Sequence, residues 1–68
     1  MTYEQIKDCV DIYSTPCTAQ NQDGETVIIE KFRDENDKYF FRTTTIQKNN
    51  WMRINEYYAD GTVTETYE

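Results

Sequence analysis

Residues 38–59 read KYFFRTTTIQKNNWMRINEYYA. The stretch holds two runs rich in β-branched and aromatic residues, separated by Lys48-Asn49-Asn50. Such residues fit a pleated, half-buried surface, and adjacent Asn residues tolerate the left-handed backbone of a turn. This is the signature of a β-hairpin. With a three-residue loop and Asn50 left-handed, Ile46 faces Met52, Thr44 faces Ile54, Arg42 faces Glu56 and Phe40 faces Tyr58. A two-residue loop at Asn49-Asn50 would reverse the parity and send each side chain to the other face.

Outward from this hairpin, a turn falls on each side. Before it, a three-residue loop at Glu35-Asn36-Asp37 sets Phe32 opposite Phe40, Glu30 opposite Arg42 and Ile28 opposite Thr44. After it, Asp60-Gly61 reads as a two-residue type I′ turn. That turn sets Tyr58 opposite Val63, Glu56 opposite Glu65 and Ile54 opposite Tyr67. Four strands result, at about Thr26–Arg33, Lys38–Gln47, Trp51–Ala59 and Thr62–Tyr67. Cys17 to Gly24 is polar and turn-rich and reads as a connecting loop.

The N-terminal segment has a different period. Thr2-Tyr3-Glu4-Gln5 has the form of a capping box. Ile6, Val10 and Tyr13 then recur on one side, with Tyr3 and Cys9 beside them, while Glu4, Lys7, Asp8 and Asp11 occupy the other. This predicts an amphipathic helix over about residues 3–13. Ser14-Thr15-Pro16 ends it, because the residue before proline resists the α conformation. The expected fold is α+β, one domain over residues 1–68. Its N-terminal helix packs on one face of a four-stranded antiparallel β-meander.

The register sorts the sheet into two faces. Ile28, Phe32, Phe40, Ile46, Met52, Ile54, Tyr58, Val63 and Tyr67 make the more apolar one, which the helix is expected to cover. Glu30, Arg42, Glu56 and Glu65 form a row on the same face. The opposite face, with Tyr39, Phe41, Trp51 and Tyr57 among Lys31, Arg33 and Arg53, is expected to stay open. Aromatic residues and Arg are enriched at interface hot spots. They also serve strand formation without any partner.

The chain has 68 residues, enough for a thin core and too few for a deep, water-excluding active site. It has no His, the commonest general base and metal ligand. Cys9 has no His to activate it, and Cys9 and Cys17 alone do not make a zinc site. Gly24 and Gly61 are its only glycines, too few for a phosphate cradle. The Asp34–Asp37 run lacks the spacing of a calcium loop. No catalytic residue, metal or cofactor is therefore expected.

Thirteen acidic residues against seven basic ones leave a net charge of -6, which disfavours direct nucleic-acid or anionic-membrane binding. The same charge keeps a small protein dispersed and steers it toward basic surfaces. No apolar run approaches membrane-spanning length. Met1-Thr2-Tyr3-Glu4-Gln5 lacks a basic region before an apolar stretch, so the expected setting is cytoplasmic, with reduced thiols.

In size, acidity, missing His and helix-plus-meander pattern, the chain resembles small acidic phage-encoded inhibitors of bacterial defence, the anti-CRISPR and anti-restriction proteins. That resemblance implies a stoichiometric blocker of a nuclease or of its nucleic-acid groove. The class has no shared motif, so no residue role carries over. The expected function is a non-enzymatic acidic binding protein acting on a protein with a basic surface, such as a nuclease or another nucleic-acid-binding protein. The expected contact residues are Asp34, Glu35, Asp37 and Asp60 at the hairpin tips and Tyr39, Phe41, Trp51 and Tyr57 on the open face. The alternative is a structural or homodimeric subunit joined through that aromatic face.

Overall fold

The structure, a computed structural model, describes residues 2–12 and 16–68. The expected helix end at Tyr13 and the Ser14-Thr15 part of its stop lie outside them, as does the side chain of Asp11.

Helix α1 spans Tyr3–Ile12. The capping box forms: the Thr2 amide donates to Gln5 Oε1 at 2.9 Å, and the Gln5 amide donates to Thr2 Oγ1 at 3.3 Å. Two of the amide groups that a helix start leaves unpaired thus find acceptors. Ile6 is fully buried, and Tyr3 and Val10 pack beside it.

Five strands follow, at Cys17–Gln20 (β1), Thr26–Arg33 (β2), Tyr39–Ile46 (β3), Met52–Tyr58 (β4) and Val63–Tyr67 (β5). They form one antiparallel sheet in the order β1-β2-β3-β4-β5. The sheet therefore has one strand more than expected. β1 falls in the segment read as a loop and pairs Cys17 with Ile29 and Gln20 with Thr26. Thr18, Ala19 and Gln20 are exposed, so backbone pairing at the sheet edge holds this strand more than burial does.

All four hairpins share one loop geometry. Asn21, Asp34, Gln47 and Tyr58 each donate their amide to the carbonyl four residues on, and each accepts from the amide three residues on. The third loop residue in each case, Gly24, Asp37, Asn50 or Gly61, has a positive φ. This is a three-residue loop with a bulge, which needs the left-handed conformation at that position. Asn50 and the β2–β3 and β3–β4 registers agree with the sequence reading.

The last hairpin does not. Its loop is Ala59-Asp60-Gly61, not the two-residue turn expected, so β5 slips by one. Val63 pairs with Tyr57, Thr64 with Glu56, and Glu65 with Asn55. The like-charge pair Glu56–Glu65 is thereby avoided. Glu65 instead approaches Arg53 at 3.8 Å.

The largest correction concerns which face the helix covers. The core consists of Ile6, Ile29, Phe41 and Tyr57, with Thr43 and Thr45 also buried. α1 thus lies on the face expected to be open, mainly over β3. The physical reason sits in the centre of each face. The uncovered face carries Glu30, Arg42 and Glu56 across its three middle strands. A helix laid there would desolvate three charges with one guanidinium to serve two carboxylates, a penalty that the added apolar contact does not offset. The covered face has Ile29, Phe41, Thr43 and Tyr57 at its centre; Lys31 pairs with Phe41 but stays exposed, and Arg33 and Arg53 lie nearer the strand ends.

Candidate binding surface

The helix-free face is built from alternate residues of β2, β3 and β4. Phe32, Phe40 and Tyr58 form one row across the three strands. Phe32 and Phe40 stack with centroids 5.6 Å apart, and Phe40 and Tyr58 with centroids 5.2 Å apart. The next row is Glu30, Arg42, Glu56 and Thr64. Arg42 donates from Nε and Nη2 to Glu56 Oε2, at 3.2 and 2.9 Å. Its guanidinium also lies 4.7 Å from the Phe32 ring centroid. Tyr58 donates its hydroxyl to the other Glu56 oxygen at 3.3 Å. Burial, and then the Glu56 carboxylate, push the Tyr58 phenol above its ordinary value, which keeps it a neutral donor.

Each group therefore holds its neighbour in place. The aromatic rings flank Arg42, Arg42 orients Glu56, and Glu56 orients Tyr58. Rigid aromatics next to an ordered ion pair lose little conformational freedom on binding a partner. Ile28, Thr44 and Ile54 continue the same face beyond the charged row.

The sites expected from sequence are distributed over three places. Asp34, Glu35, Asp37, Tyr39 and Asp60 gather at one end of the sheet, where the β2–β3 and β4–β5 loops meet. Asp34, Asn36, Lys38, Tyr39, Tyr58, Ala59 and Asp60 line a cavity of about 240 Å³ there. Asp34 is partly committed to its own turn, since its Oδ1 accepts from the amides of Asn36 and Lys38, both at 2.9 Å. Asp37 pairs with Arg33 at 2.9 Å. Glu35 is exposed. Tyr39 lies on the helix side of the sheet, its ring 4.1 Å from Lys31 Nζ and 4.6 Å from Arg33 Cζ, and its hydroxyl accepts from Arg33.

Trp51 stands at the opposite end of the sheet, 55% exposed, beside the β3–β4 loop. Phe41 and Tyr57 are not surface residues at all. They are 2% and 8% exposed beneath α1, and this corrects their expected place in the contact set. Phe32, Phe40, Tyr58, Arg42 and Glu56 take their place on the open face. The signal that identifies them in the sequence is the Glu30–Arg42–Glu56 row, which marks its face as the wet one.

The Asp60 carboxyl is held below its ordinary value, first by the hydrogen bond from the Thr62 amide, at 2.8 Å. A carboxyl with a depressed folded value contributes stability above its unfolded value, about 3.9, and loses it as pH falls through the folded value. Asp60 is therefore expected to titrate below an unperturbed Asp in a carboxyl-carbon NMR titration, with the Thr62 amide shift moving at the same midpoint. Asp60→Asn keeps the acceptor oxygen and should abolish that amide's response to acid. An Asp60 midpoint at or above the ordinary value would contradict the loop geometry.

Among the described residues, no group of three or more Cys, Asp or Glu is placed to hold a metal ion, and no helix is long and apolar enough to cross a membrane. No protein-family model, no curated protein and no solved structure matches the chain.

Proposed function

We propose that the chain is a non-enzymatic acidic binding protein that docks a partner with a basic surface through the helix-free face of its sheet. On this reading it is a stoichiometric inhibitor of the anti-CRISPR or anti-restriction kind. Its partner is a nuclease or another nucleic-acid-binding protein.

The observation that supports this reading is the asymmetry of charge across the sheet. The helix-free face carries Glu30, Glu56 and, opposite Met52, Glu68, against Arg42. The helix-side face carries Lys31, Arg33 and Arg53, against Glu65. The uncovered face thus joins three carboxylates to a row of three aromatics. That combination suits a basic, partly apolar partner and repels the phosphates such a partner normally binds.

The test compares single variants in capture from bacterial lysate, with nuclease added to remove bridging nucleic acid. The unmutated protein is expected to retain one nucleic-acid-binding protein in equimolar amount, less strongly at high salt. Phe40→Ala should weaken that capture by about tenfold or more, while Trp51→Ala leaves it unchanged. Equal capture by Phe40→Ala would remove the helix-free face as the contact. A dimer in light scattering that Phe40→Ala dissociates would favour self-assembly through the same face.

A further inference from the structure

The function proposed above uses neither cysteine. Cys9 lies on α1 and Cys17 is the first residue of β1. Both are free and half-buried. They line one cavity of about 370 Å³, whose other walls are Thr18 and Ala19. Cys17 also packs against the core cluster and pairs with Ile29 in the sheet, so its position is fixed from two sides.

We propose that Cys9 and Cys17 are a redox pair that closes into an intramolecular disulfide, tying the C-terminal half of α1 to the edge strand β1. The mechanism is thiol–disulfide exchange with an oxidised low-molecular-weight disulfide such as glutathione disulfide. One protein thiolate attacks that disulfide, forms a mixed disulfide and releases one glutathione. The second protein thiolate then attacks the protein sulfur of the mixed disulfide and releases the other glutathione. The S–S bond of the oxidant breaks and one S–S bond forms in the protein. Two thiol protons pass to the two glutathione thiolates, so the protein is oxidised by two electrons and the oxidant reduced by two.

Burial, and then the neighbouring Cys9, push the Cys17 thiol above its ordinary value. Cys17 therefore ionises less readily than an ordinary thiol. The fold gives the closure a purpose. α1 packs mainly over β3, and β1 is a short edge strand with three exposed residues. A cross-link between them ties the exposed edge strand to the helix that Ile6 anchors in the core. Because the closed loop is short and its ends already share a cavity in the folded state, folding should favour the bond and the bond should favour folding.

The test is equilibration of the full chain with reduced and oxidised glutathione, with products read by mass spectrometry. The expected product is a monomer about 2 Da lighter, giving a Cys9–Cys17 cross-linked peptide on digestion. Its equilibrium constant should be about tenfold or more higher in native buffer than in denaturant, with the thermal midpoint raised by roughly 5 °C or more. Cys9→Ser and Cys17→Ser should each stop at a single glutathione adduct. Glutathione adducts on both cysteines, a disulfide-linked dimer, or an equilibrium constant no higher in native buffer than in denaturant would each overturn the proposal. The comparison uses the unmutated chain, so it holds even if a serine variant folds poorly.

Discussion

Phe41→Ala is expected to remove a large part of the protein's stability, and Phe40→Ala is expected to remove little of it. The two residues are neighbours in one strand and differ only in the face they meet. Phe41 is 2% exposed, packs against Tyr3 at 5.1 Å between centroids, and belongs to the cluster with Ile6, Ile29 and Tyr57. Truncating a buried Phe costs about 3–5 kcal/mol, because the lost transfer energy is joined by the cavity left behind. A chain of this length has roughly 3–10 kcal/mol of stability in all. Phe40 is half-buried among Phe32 and Tyr58 on the helix-free face. Solvent fills the space it leaves, and the loss is about 1–2 kcal/mol, mostly aromatic packing. Urea unfolding of both variants checks this. The Phe41→Ala transition should be shifted far down or absent, while Phe40→Ala keeps a cooperative transition with an unchanged slope.

The second large effect concerns Ile6, the fully buried side chain among the described residues of α1. Ile6→Ala should cost about 2–5 kcal/mol, whereas Ile46→Ala, at a site 40% exposed, should cost about 1 kcal/mol or less. A helix of this length is marginal in water by itself and depends on its docked face. Ile6→Ala should therefore reduce the helical circular dichroism signal together with stability. Equal losses for Ile6→Ala and Ile46→Ala would mean that α1 does not rest where the structure places it.

Much of the fold was legible because local chemistry acts locally. Thr2 and Gln5 specify the helix start by reciprocal hydrogen bonds that four residues supply. Asn50 announces its left-handed conformation by type, and the β2–β3 and β3–β4 registers follow from loop length alone. The failures have equally physical causes. Thr18-Ala19-Gln20 has no apolar alternation, since an edge strand held by backbone pairing does not need one. Asp60-Gly61 suits either a two-residue turn or the last two residues of a three-residue loop, because both place Gly61 at positive φ. The spacing of Asn21 to Gly24 and of Asp34 to Asp37 repeats in Tyr58 to Gly61, and that repetition favours the longer loop.

The contact site was less legible than the fold. Deciding which face the helix covers by the number of apolar residues gives the wrong face, because a stripe of Ile6, Val10 and Tyr3 fits either. The position of charge decides it. Glu30, Arg42 and Glu56 sit where a helix would have to cross, whereas Lys31 stays exposed beside Phe41 and Arg33 and Arg53 lie nearer the strand ends. Among the aromatic residues of the sheet, Phe41 and Tyr57 are the core pair on the helix side, with Tyr39 and Tyr67 exposed toward the strand ends, and Phe32, Phe40 and Tyr58 are the row on the open face.

The central claim is that α1 covers Phe41 and Tyr57 and leaves Phe40 and Phe32 to solvent. It is tested most directly by NMR on the unmutated protein, combining nuclear Overhauser contacts from the Ile6 methyl groups with ring-proton relaxation by a soluble gadolinium chelate. The expected result is contact from Ile6 to the Phe41 and Tyr57 rings, with the Phe41 ring protected and the Phe40 and Phe32 rings relaxed by the chelate. Contacts from Ile6 to Phe40 or Tyr58, with the Phe41 ring open to the chelate, would contradict the face assignment and the binding surface built on it.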